Sequence, residues 1–209
     1  AQCFFGDGLY EVDPLGIKEP ISIKEDLGPN CGLNGMDWGP DGRLYGPRWF
    51  NNEVVSLNVD TGEMNVVVKG LNVPAAVKFN SKGVLHVLDT ADGKVLKVID
   101  GQLEVVATLL TGLDNFDFNN KDEIFVSSYA DGSILKVTDN GIVEILPGGI
   151  SHPGGVAVSQ NSLVVADIQS VRAFNLSTKE EDWVIRNIFR SSPLGASTSA
   201  ASLDNNIIL

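Results

Sequence analysis

Basic side chains are scarce in this chain. Lys and Arg together number 15 against 27 Asp and Glu, a formal charge of −12. Nucleic acid is therefore excluded as a partner, because phosphate backbones need basic patches. The acidic balance favours solubility and cation binding. Long apolar runs are also missing, and the longest are far too short to span a bilayer, so no membrane partner is expected. No stretch carries convincing helical periodicity. Neither a signal peptide nor an initiator Met is visible. A chain opening at Ala1-Gln2 fits a mature secreted or periplasmic product, or simply a chosen boundary. There are only two cysteines, Cys3 and Cys31. They pair, implying an oxidising compartment, or they stay as two buried free thiols.

Apolar residues make up 43% and glycines number 22, as a turn-rich β protein needs. The chain also repeats. Apolar anchors recur at Met36, Val77, Phe116, Val156 and Ala200, at intervals of 41, 39, 40 and 44 residues. A period of that length with four strands per unit is the mark of a propeller. First strands are expected at Gly35–Trp38, Ala76–Phe79, Asn115–Phe118 and Gly155–Val158. Second strands follow polar turns, at Leu44–Tyr45, Val84–Leu88, Ile124–Ser127 and Leu163–Ala166. Asp92-Gly93 and Asp131-Gly132 are hairpin signals leading to third strands at Val95–Val98 and Ile134–Val137. Fourth strands are expected at Met64–Val68, Leu103–Leu110, Ile142–Leu146 and Trp183–Phe189, the last with a helical alternative.

The fifth repeat is divided between the termini. Ser202–Leu209 followed by Ala1–Val12 matches the internal stretch Phe79–Val98. The expectation is one all-β domain, 1–209, a β-propeller of five four-stranded blades closed by pairing of N- and C-terminal strands such as Ile207 with Phe4. A fragment of a six-bladed propeller is the alternative, and a truncated or engineered ring is another. Each blade is apolar on both faces, so only stacking buries it. A closed ring is expected to be a monomer.

In a propeller the starting ends of the innermost strands open on one face. That places Asn34, Ala75, Asp114, Gly154 and Thr198 around a mouth. Arg48, Asp89, Ser128 and Asp167 close the second strands beside it, and His152 lies in a connection on the same face. Such oxygen donors suit a hard divalent cation, calcium first among them. Asp89 and Asp167 each precede a turn, where Asp commonly binds backbone amides instead. Asp114 stands out because its repeat counterparts are Ala75, Gly154 and Thr198, so the repeat itself requires no carboxylate there. His86 sits mid-strand and reads as packing. Trp49, Phe50 and Tyr129 fall in second-to-third-strand loops, either as an apolar rim for a small-molecule ligand or as packing between blades.

The stretch Asn34-Gly-Met-Asp-Trp-Gly-Pro-Asp-Gly-Arg-Leu-Tyr45 resembles the senescence-marker-protein, gluconolactonase and luciferin-regenerating-enzyme (regucalcin-like) group. That resemblance implies a metal-dependent propeller hydrolase of lactones or related esters, with its metal on a Glu, an Asn and an Asp. Asn34 matches the Asn and Asp114 the Asp, while no Glu stands near Thr198–Ala200. In that scheme Asn34 and Asp114 hold the metal, Asp114 or Asp89 takes a proton from water, and Arg48 steadies the developing oxyanion. Trp49, Phe50, Tyr129, His152 and Asp167 contact the ligand. The competing reading is a non-catalytic ligand- or partner-binding propeller.

Overall fold

The computed structural model describes residues 8–13, 16–23, 33–186, 201–203 and 206–208. The N-terminal hairpin pairs β1 (Gly8–Asp13) with β2 (Gly16–Ile23). Next comes a four-stranded antiparallel sheet of β3 (Asp37–Trp38), β4 (Leu44–Arg48), β5 (Glu53–Leu57) and β6 (Met64–Lys69). The second such sheet is β7 (Pro74–Phe79), β8 (Leu85–Asp89), β9 (Lys94–Ile99) and β10 (Gln102–Thr108). The third is β11 (Leu113–Phe118), β12 (Ile124–Ser128), β13 (Ile134–Thr138) and β14 (Gly141–Leu146). The fourth is β15 (Gly155–Ser159), β16 (Ser162–Ala166), β17 (Ser170–Asn175) and β18 (Glu181–Arg186). A last hairpin pairs β19 (Ala201–Leu203) with β20 (Asn206–Ile208). Four meandering sheets of one design are propeller blades, and the fold is all-β. The chain divides into two compact units, Ala1–Leu109 and Leu110–Leu209.

Within each unit, blades are buried on both faces, as apolar alternation demands. In the first unit the adjacent β5 residues Val54 and Val55 join different clusters. Val54 packs with Val68, Val77, Val87 and Leu96 of its own and the next blade. Val55 packs with Leu9, Leu33 and Leu57, against the N-terminal hairpin. In the second unit Phe125 and Ile134 of one blade meet Val156, Val158, Leu163 and Val165 of the next. The opposite face of that blade gathers Val164, Ala166, Val171 and Ala173. Apolar burial at about 25 cal/mol per Å² makes this stacking the main stabilising term.

Two carboxylates reinforce the stacking. Asp37 Oδ2 accepts the Phe79 N–H at 2.9 Å, from β3 to β7. Asp117 Oδ2 accepts the Val158 N–H at 2.8 Å, from β11 to β15. Each clasp ties the innermost strand of one blade to that of the next within a unit. Asp37 and Asp117 directly follow the anchors Met36 and Phe116, so their shared place in the repeat was the available signal.

Several strand limits differ from expectation, for identifiable reasons. The first strand of the β3–β6 blade pairs in its own sheet over two residues only, because Gly35 turns its backbone to the neighbouring blade. Its N–H donates to Ala75 O at 2.9 Å, and its carbonyl accepts from Val77 N–H at 2.9 Å. The last fourth strand, described over Glu181–Arg186, is a strand and not a helix, and residues 187–189 of the expected span lie outside the described residues. His86 is buried, with Nδ1 3.0 Å from the Val84 carbonyl, as a packing residue would be. At the Asp131-Gly132 hairpin, Gly132 has φ +80°, and a Cβ there would lie 2.3 Å from the Ile150 carbonyl oxygen. Only glycine meets both demands. Phe4, and with it the expected partner of Ile207, lies outside the described residues, as do Cys3, Cys31 and Thr198. Ile207 itself pairs with Ser202 in the β19–β20 hairpin.

Candidate functional site

In the first unit, the ends of β4 and β8 and the entries to β3 and β7 lie together. Leu33 bridges to Arg48, and Asn34 N–H donates to Pro47 O at 3.3 Å. The Asn34 side chain is buried and carries no hydrogen bond to another described residue. Arg48 is engaged by Glu53, Nη1 to Oε1 at 3.2 Å, and Glu53 in turn reaches Lys69 at 3.7 Å. Arg48 Nε is buried without a partner. Trp49 and Phe50 sit in a single 3₁₀ turn, Trp49–Asn51, with rings stacked at 6.0 Å and 16°. Phe50 is exposed.

Asp89 is buried at the end of β8. Its Oδ2 accepts the Asn72 N–H at 2.8 Å, while Oδ1 has no partner. Burial pushes its pKa up, against the lowering effect of the Asn72 amide. That bond ties the end of β8 to the connection into β7, 17 residues earlier in the chain, not to the turn that follows Asp89.

In the second unit, Asp167 closes β16 and its oxygens are fully engaged. Oδ1 accepts the Gln169 and Ser170 amides at 2.7 and 2.6 Å, and Oδ2 accepts the Ser170 hydroxyl at 2.8 Å. Arg172 Nε lies 3.4 Å away. Asp167 is a turn organiser. Asp167→Ala should lower stability by about 1–2 kcal/mol through the lost amide bonds, read in urea denaturation.

Asp114 is different. The ladder slips between Leu113, opposite Ser128, and Asn115, opposite Ser127, so Asp114 occupies a bulge. The same slip frames Ala75, between Pro74 and Ala76. Bulges re-aim a side chain, and here the repeat supplies the bulge while the sequence supplies the carboxylate. Asp114 is set deep among protein atoms yet stays partly open to solvent. It has no hydrogen bond or ion pair among the described residues. Desolvation alone raises its pKa from 3.8 to about 7.

Three further groups of that unit lie on the segments that adjoin the bulge. Tyr129 follows Ser128, and the next residue, Ala130, donates its N–H to Gly112 O at 3.1 Å. The Tyr129 ring lies 4.8 Å from His152, tilted 59°, and both residues are exposed. His152 Nδ1 is 3.4 Å from Ser151 Oγ. Asn115 Nδ2 donates to Gly154 O at 3.4 Å, drawing the His152–Gly154 connection toward β11. His152 has φ +56°, and Val73, also directly before a proline, has φ +62°. The left-handed turn is thus part of the architecture, not a strain particular to His152.

The donor chemistry fits a cation at Asp114 in one definite respect: a sunken carboxylate lacks any counter-charge. Among the described residues no three His, Cys, Asp or Glu side chains converge.

No family model matches the chain, and no curated protein sequence does. Solved structures do. Virginiamycin B lyase from Staphylococcus aureus aligns at TM-score 0.65 and 15% identity, covering 85% of this chain and 62% of its own. A gluconolactonase from Xanthomonas campestris aligns at TM-score 0.68 and 14% identity, covering 81% and 67%. A chain of the nidogen/laminin complex reaches TM-score 0.75 at 14% identity, covering 99% and 82%. The chain thus spans about three fifths of the lyase's length. At these identities the likeness establishes the β-propeller fold, a fold used both by enzymes and by a chain of that complex.

Proposed function

We propose that the chain is a hydrolase of lactones or related esters, dependent on a divalent cation and working at Asp114. The observation that carries this reading is the free, desolvated carboxylate at a bulge whose counterpart in the preceding blade is Ala75. Structural likeness to a gluconolactonase supports it, at fold level. Asp114 would be the charged ligand of the ion, calcium first. A bound divalent ion polarises an ester carbonyl and lowers the pKa of a coordinated water.

The chain's own residues supply the remainder. Asp114 would accept the proton of the attacking water, the general-base task of a carboxylate beside it. Tyr129 and His152 of the same unit would wall the ligand. Asp89 and Asp167, already holding amides, serve by shaping the loops.

The test is a panel of aliphatic lactones assayed with calcium and then with chelator. Calcium-dependent turnover that disappears in Asp114→Ala is the expected result, and full activity in that variant would refute the reading. A second reading, a binding propeller without chemistry, is favoured by the engagement of Asp89 and Asp167 with backbone amides. It predicts calcium- or ligand-dependent melting shifts with no turnover.

A further inference from the structure

The mouth of the second unit combines three features that do not depend on hydrolysis. A carboxylate with no partner among the described residues stands on the β11 bulge. An exposed tyrosine ring lies one residue from the Ser128–Leu113 pair, backed by the imidazole of His152 at 4.8 Å. Ile168, also exposed, adds an apolar wall, since its N–H donates to Ser151 O at 3.3 Å beside His152.

Cationic side chains nearby are already occupied. Arg172 holds Asp167 at 3.4 Å and Glu181 at 3.3 Å. Lys136 holds Glu123 at 2.9 Å from the far end of β13. The other carboxylate of this mouth, Asp131, is kept well ionised by the Ser133 hydroxyl and by the Ser133 amide, which donates to Oδ1 at 2.9 Å. The local field is therefore negative, and an anionic ligand is disfavoured.

We propose that this mouth binds an organic ammonium group, with its charge against Asp114 and its methyl or methylene surface over the Tyr129 ring. A hard metal ion asks for six or more oxygens. A methylated ammonium asks for one carboxylate and an aromatic face, because its charge is diffuse and weakly hydrated and the ring's quadrupole attracts it. The residues here match the second demand directly. The inference goes beyond the hydrolase reading and shares Asp114, Tyr129 and His152 with it.

The test uses the full chain at pH 8 and tetramethylammonium chloride as the probe, against sodium chloride of equal ionic strength. Ring signals of Tyr129 and His152 are followed by NMR. Saturable shifts with a Kd of about 1–10 mM are expected, a reasonable strength for one ion pair and one ring. Tyr129→Ala should weaken binding about five- to thirtyfold, while Tyr129→Phe, which keeps the ring, should stay within about twofold. Asp114→Ala should weaken it about tenfold or more. Neopentyl alcohol, similar in shape but uncharged, should not bind.

Absence of saturable shifts, equal binding of the neutral isostere, or indifference to Tyr129→Ala would each overturn the proposal. Those arms do not depend on the folding of any Asp114 variant. A calcium titration separates the two readings of the site. Calcium binding without tetramethylammonium binding would sink this inference and leave the hydrolase standing. The reverse would sink the metal-dependent hydrolase and leave this inference standing.

Discussion

Asp114→Ala is expected to melt above the parent protein at pH 8 while losing lactone hydrolysis. The carboxyl's pKa is raised from 3.8 to about 7 by desolvation. The folded protein therefore retains a proton that the unfolded chain releases, and folding is penalised as pH rises from about 4 to about 7. Below that window the penalty is absent, and above it the penalty is constant. Allowing for the carboxyl's partial exposure, about 2 kcal/mol is at stake at pH 8. For a chain of this size that corresponds to a Tm gain of about 4–8 °C.

Alanine fits the position, because Ala75 occupies the same bulge in the preceding blade with no exposed surface. Melting curves of parent and variant at pH 4, 6 and 8 check the effect. The two should converge at pH 4 and diverge through pH 6. A variant no more stable than the parent at pH 8 would mean that Asp114 is better solvated or better partnered than its surroundings indicate. A stability gain coupled to lost turnover is the pattern expected when a charged group is retained for function.

Asp117→Ala should act in the opposite direction, and more strongly. Asp117 is buried and accepts the Val158 N–H at 2.8 Å across two blades of the second unit. Removing the carboxylate leaves that amide without its partner inside the stack. The bond to a charged acceptor and the orphaned donor together cost about 3 kcal/mol. A Tm loss of about 6–12 °C follows for a chain of this length. Asp117→Asn, which keeps an oxygen acceptor, should recover part of it. Hydrogen exchange at the Val158 amide gives a local readout: its protection should fall in Asp117→Ala and partly return in Asp117→Asn. Unchanged protection would show that the clasp contributes nothing to the interface.

The blade pattern was legible in the sequence because a strand's two-residue alternation and a turn's glycine are local properties. Met36, Val77, Phe116 and Val156 announced the innermost strands, and Asp92-Gly93 and Asp131-Gly132 announced the hairpins. Asp114 was also legible, as a carboxylate where the repeat elsewhere places Ala75 or Gly154. What Asp89 and Asp167 do was not. Their residue type fits a ligand and a turn organiser equally, and only the positions of the Asn72 and Ser170 amides distinguish the two. Asp37 and Asp117 passed unremarked because their partners, Phe79 and Val158, lie about one full repeat away. No local pattern reports which amide an oxygen will meet across a blade interface.

The sequence by itself determined that the chain would form repeated four-stranded sheets, since period and polarity are written residue by residue. Only the tertiary structure decided that Asp167 is satisfied and that Asp114 has no partner among the described residues. Solvation and hydrogen-bond partnership arise from neighbours brought together by folding, and those neighbours are distant in the chain.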